Sequence, residues 1–90
     1  MIIEVEETRN WIRDDDVDEQ TLEMLIGAAE QYLTNATGRV FDNKNYQARL
    51  FCLVLVADWN ENRELIGQKP SEKVRFTIDS IKLQLQFGGG

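Results

Sequence analysis

Histidine is absent from this chain, and with it the commonest general base and the commonest metal ligand at neutral pH. The single cysteine, Cys52, cannot close an internal disulfide, so nothing points to an oxidising compartment. Proline occurs once, at Pro70, and three of the six glycines form the terminal run Gly88-Gly89-Gly90. So few breakers leave too little material for the frequent tight turns of an all-β domain. Basic residues are short as well: ten Lys and Arg against sixteen Asp and Glu leave a net charge of −6. That deficit argues against a general phosphate-gripping surface and against adhesion to anionic lipid. Long apolar runs are missing too. The most apolar stretch, Leu50 to Ala57, falls far short of the ~20 residues that cross a bilayer. The start, Met1-Ile2-Ile3-Glu4-Val5-Glu6-Glu7, has neither the basic opening nor the apolar stretch of a signal peptide. A protein without a membrane partner is expected.

What remains is one small domain. Ninety residues with 42% hydrophobic content can build a single core, here assigned to residues 1–87 with 88–90 as a flexible glycine tail. A chain of this size buries a modest share of its surface, which makes oligomerisation attractive.

Long segments between few breakers read as helices. Asp16 or Asp18 can cap a helix from about Asp18 to Thr37, with Glu19 and Thr21 three positions on. Leu22, Leu25, Ile26, Ala29, Leu33 and Ala36 form its apolar stripe, and Gly38 stands where a left-handed cap belongs. A second helix is predicted from Asn43 or Asn45 to about Leu65, ended by Gly67 and Pro70. Its centre is apolar all round, and Tyr46, Leu50, Leu53, Val54, Ala57 and Ile66 bracket the run at helical spacing. Such a helix is central or buries a second face against another subunit. The C-terminal third reads two ways. Val74, Ile78, Ile81 and Leu85 fit a helix after Pro70-Ser71, whereas Val74, Phe76, Ile78 and Ile81, Leu83, Leu85, Phe87 alternate like a hairpin. The helix is preferred, because an isolated hairpin is weak. Glu6 to Ile12 is expected to form one or two turns that lay Trp11 and Ile12 on the core. The fold expected is therefore all-α: two long antiparallel helices, a short N-terminal helical turn and a C-terminal helix.

The loudest polar feature is Asp14-Asp15-Asp16-Val17-Asp18-Glu19. Set as a calcium loop it has Glu19 where glycine is required and Leu25 where the bidentate glutamate belongs, so a helix-capping acidic loop is the better reading. Cys52 lies in the most apolar run with no base to activate it and reads as a buried thiol. No glycine-rich phosphate loop precedes a helix. The basic residues are scattered, with Lys69, Lys73 and Arg75 the only local cluster, and no basic recognition helix is visible. No enzyme, cofactor or metal site is expected.

Four segments, in order, resemble the small head–tail connector (DNA-packaging adaptor) family of tailed phages. Trp11-Ile12-Arg13-Asp14-Asp15-Asp16-Val17-Asp18 looks like the family's short helix running into an aspartate-rich loop. Leu25-Ile26-Gly27-Ala28-Ala29-Glu30-Gln31-Tyr32-Leu33, closing at Thr37-Gly38-Arg39, is similar to its first long helix. Ala57-Asp58-Trp59-Asn60-Glu61-Asn62-Arg63-Glu64 resembles the end of its central helix, and Ser80 to Gln86 its C-terminal ending. The chain departs from the pattern at Asp58, at Asn60, where an aromatic is common, and at Gln86, where arginine is usual.

The resemblance implies a structural protein of a phage or prophage, placed at the head–tail junction of the virion and in the host cytoplasm during assembly. The partners it implies are other copies of the chain in a ring of roughly a dozen, the portal protein, and a stopper or tail-completion protein. Genomic DNA would pass through the channel without sequence-specific binding. A rival reading is a small acidic phage regulator that binds a host protein or mimics DNA, for which the apolar central helix is unneeded. Candidate assembly contacts are Arg13, Asp14 and Asp16 in one polar patch, and Trp59 with Arg63, four apart on the central helix and able to stack.

Overall fold

The computed structural model describes residues 1–87, and the glycine run expected to be flexible lies outside the described residues. The fold is all-α. Four helices follow one another, α1 (Val5–Ile12), α2 (Glu19–Thr37), α3 (Tyr46–Glu61) and α4 (Glu72–Phe87), with a short 3-10 turn at Arg63–Leu65. None is long and apolar enough to cross a membrane.

Each long helix begins where its sequence offers an acceptor to the free amides of the first turn. Asp18 caps α2 by accepting from the Thr21 amide at 3.2 Å. Asn45 caps α3 by accepting from the Ala48 amide at 3.0 Å. Gly38 ends α2 with φ +72°, a conformation that costs glycine nothing. The α2–α3 connection then folds back, so that the two helices pack antiparallel. α4 returns along α3, with the Gln84 and Gln47 side chains hydrogen-bonded between its end and the start of α3.

The core lies where α2, α3 and α4 meet. Leu22, Leu25, Ile26, Ala29 and Leu33 are buried from α2, Ala48, Phe51, Cys52, Leu55, Val56 and Trp59 from α3, and Ile78, Ile81 and Leu85 from α4. Tyr32 joins two of the large rings, stacked 6.3 Å from Phe51 and edge-on 5.7 Å from Trp59.

Several expectations are corrected. α3 is four residues shorter than predicted: it ends at Glu61, where Asn62 leaves the helical region. Its core face is also not the one chosen from spacing. Tyr46 and Leu50 are exposed, and Leu53, Val54 and Ala57 only half-buried, because an all-apolar run carries no polar side to orient it. The N-terminal turn is a full eight-residue helix, begun by a reciprocal cap between Glu4 and Glu7. Trp11 on it is 47% exposed, not core. Its place is taken by Ile2 and Ile3, which precede the helix and are buried. Their amides donate to Glu30 Oε2 at 2.6 and 3.4 Å. The alternation in residues 74–87 belongs to a helix with apolar side chains on two opposite faces.

Candidate functional site

The aspartate loop is held in place by three anchors. Arg13 ends α1 in the left-handed region, φ 55°, with its amide on the Arg9 carbonyl at 3.0 Å. That conformation is uncommon for a non-glycine residue and turns the chain sharply into the loop. The Arg9 guanidinium donates to the Val17 carbonyl at 2.8 Å, and the Val17 side chain is buried. Asp14 Oδ1 accepts from the Asp16 amide at 3.1 Å. The loop is therefore held by the α1 guanidinium of Arg9, the buried Val17 side chain and the Asp14 carboxylate. Among the described residues no group of three or more Asp, Glu or Cys is placed to share a metal ion.

Asp14 of one expected patch and Arg63 of the other are joined through Asn60. Asn60 Nδ2 donates to Asp14 Oδ2 at 3.1 Å, and Asn60 Oδ1 accepts from the Arg63 guanidinium at 3.1 Å. Asn60 thus links the loop after α1 to the turn after α3. The Asp18 carboxyl lies close by. It is held below its ordinary range chiefly by the hydrogen bond to Thr21, with the Arg63 charge a smaller contribution. Arg13 and Asp16 are exposed at the rim, Asp14 half-buried and Arg63 exposed.

Trp59 does not belong to this patch. It is 0% exposed, its ring edge-on to Tyr32 and its indole N–H donating to the Lys69 carbonyl at 2.8 Å. With no surface to offer a neighbour, it is a core residue, and the expected stacking with Arg63 does not form. The reason is the early end of α3: Arg63 sits in the 3-10 turn, off the helix face that carries Trp59.

Trp11, Val54, Ala57 and Val74, with the charged Glu61 and Lys73, line a shallow hollow of about 210 Å³ between α1, α3 and α4. This hollow was not anticipated: Val54 and Ala57 were read at helical spacing with Leu50 and Leu53, and both are half-buried. Asp58, 4% exposed, also lines it. Its carboxylate accepts from the Ser71 amide at 2.8 Å, from the Ser71 hydroxyl, and from Asn62 Nδ2 at 3.2 Å. Asp58 thereby ties the end of α3 to the start of α4 across the turn.

Cys52 is buried, and removal from water pushes its thiol from the ordinary 9.0 up to about 12, with the Glu30 charge adding to the rise. The folded state therefore holds the thiol proton more tightly than the unfolded chain. Stability is unaffected by this group below pH 9.0 and falls as pH climbs from there toward about 12. At pH 8 the folded chain has a thiolate fraction about a thousandfold below that of the unfolded chain. Alkylation by iodoacetamide at that pH is expected to be slow in buffer and fast in urea. Equal rates would place Cys52 outside the core.

Compared with protein-family models, with curated proteins and with solved structures, the chain has no match in any of the three.

Proposed function

We propose that the chain is a structural head–tail connector of a tailed phage or prophage, a ring subunit between the portal and a stopper or tail-completion protein. The observation that carries this reading is a pair of unlike surfaces on one small domain. One is the polar patch of Arg13, Asp14, Asn60 and Arg63; the other is the apolar hollow of Trp11, Val54, Ala57 and Val74. A closed ring joins subunits head to tail, so each must present two different patches. The four segments that resemble the connector family support the same reading, and two of them supply this patch. The charge of −6 suits a channel wall that repels the DNA backbone and lets it slide.

The test is mass in solution, for the chain alone and mixed with the portal protein of the same phage. Assembly onto the portal is expected, and Arg63→Glu should abolish it. The helical content and melting of the monomer should be unchanged, since Arg63 is exposed and its side chain is hydrogen-bonded to Asn60, a half-buried neighbour three positions away. A drop in melting on Arg63→Glu would make the residue a clamp of the fold. A tight, salt-sensitive affinity of the assembled ring for duplex DNA would count against the sliding channel.

A further inference from the structure

α4 is apolar on two faces, and the fold uses only one. Ile78, Ile81 and Leu85 are buried and Val74 half-buried. On the opposite side Phe76 is 90%, Leu83 53% and Phe87 78% exposed. With Ser80 these three follow spacings of four, three and four, the interval that keeps side chains on one line of a helix. Neither the polar patch nor the hollow beside Trp11 contains any of them. Leu50 of α3 extends the strip, lining with Phe76, Thr77, Ser80 and Ile81 a depression of about 330 Å³. A second depression of about 210 Å³ lies over Ser80, between Phe76 and Leu83. Three large apolar side chains in line on an acidic 90-residue domain are an interface pattern, not scattered surface.

We propose that two copies of this chain pair through the outer face of α4, with the two helices antiparallel about a two-fold axis. The residue pattern selects the second copy as occupant because it is self-complementary in one register. Setting Phe76 of one copy against Phe87 of the other sets Ser80 against Leu83, and the two-fold repeats both contacts. Each leucine then enters the depression left by the small Ser80, as a knob enters a hole. The flanking positions place Asp79 beside Gln86 and Thr77 beside Gln84 of the second copy, so no like charges meet. Arg75 is already occupied within its own helix, 3.3 Å from Glu72 and 4.0 Å from Asp79.

The competing arrangements are poorer. Sliding the antiparallel pair by one heptad brings Asp79 against Asp79 and Lys73 onto Leu83. A parallel pair stacks Lys73 on Lys73 and buries Ser80 against Ser80. Opposed like charges and a charge on an apolar side chain both disfavour those registers. The pairing needs neither portal nor tail protein and is independent of the connector reading.

Sedimentation of the chain alone, from micromolar to millimolar, tests it. The mass is expected to double with concentration. Phe76→Glu and Leu83→Glu should each hold the chain at monomer mass with unchanged helicity and melting, because both side chains are exposed. For register, an equal mixture of Ser80→Cys and Leu83→Cys chains should form an intermolecular disulfide several-fold faster than either variant by itself, and the buried Cys52 does not interfere. A wild-type chain that stays monomeric throughout, or grows past the dimer, overturns the proposal. So does a Phe76→Glu chain that still dimerises. Fastest cross-linking of Ser80→Cys with itself would show a parallel pair and overturn the arrangement.

Discussion

Replacing Trp59 by alanine is expected to cost about 4 kcal/mol, the middle of the range for emptying a fully buried aromatic site. Three things are lost together: the edge-on contact with Tyr32, the indole bond to the Lys69 carbonyl, and the volume that α3 presents to the core. A domain of this size has roughly 5–15 kcal/mol of stability in all, so the variant should melt some 20 °C lower, taking about 4–8 °C for each kcal/mol. Trp59→Phe separates the contributions. It keeps a ring against Tyr32 but orphans the Lys69 carbonyl, and about 1–2 kcal/mol should be lost. Urea melts of both variants decide the matter. A Trp59→Ala chain as stable as wild type would mean that the indole is not sealed in the core, and it would restore Trp59 as a contact residue.

Asp58→Ala should follow, at about 2–3 kcal/mol, because the Ser71 amide and hydroxyl would both lose their acceptor, while the Asn62 side-chain amide keeps its 2.9 Å bond to the main-chain carbonyl of residue 58. Every buried side-chain polar atom among the described residues has a hydrogen-bond partner. Ser71→Ala removes less, about 1 kcal/mol, since the Asp58 carboxylate keeps the backbone amide and Asn62. The double variant should cost clearly less than the sum of the two, as residues in one network do. Strict additivity would show that Asp58 and Ser71 act separately and that the tie between α3 and α4 lies elsewhere. Amide exchange should locate the damage: α4 should lose protection before α2 does.

α2 was legible nearly residue by residue, because capping aspartate, one-sided stripe and terminal glycine all speak for the same helix. α3 was legible as a helix but not in its orientation. From Leu50 to Ala57 every side chain is apolar, so Phe51, Cys52 and Leu55 gave no sign of facing inward while Leu50 faced out. The hairpin-like alternation from Val74 to Phe87 had a helical cause: inward Ile78, Ile81 and Leu85 interleave with outward Phe76, Leu83 and Phe87. Asp58 was hidden for a different reason. Its partner Ser71 lies 13 residues away across a turn, and nothing local marks a carboxylate that closes so wide a loop. The aspartate loop and Arg63 were each visible as polar features. That Asn60 joins them was not, because the link exists only once the end of α3 lies beside the loop after α1.

The strap formed by Ile2 and Ile3 has a consequence for the order in which the protein is made. These two residues are made before the groups that hold them, for the carboxylate that receives the Ile2 amide belongs to Glu30, 28 positions later. Their side chains join a cluster that also draws on Phe51, Leu55 and Ile78. The nascent chain therefore carries two sticky isoleucines whose full set of core partners is not made until Leu85. The acidic run Glu4, Glu6 and Glu7 directly behind them places like-charged, strongly hydrated groups next to that exposed pair, and so keeps growing chains on neighbouring ribosomes apart while they wait.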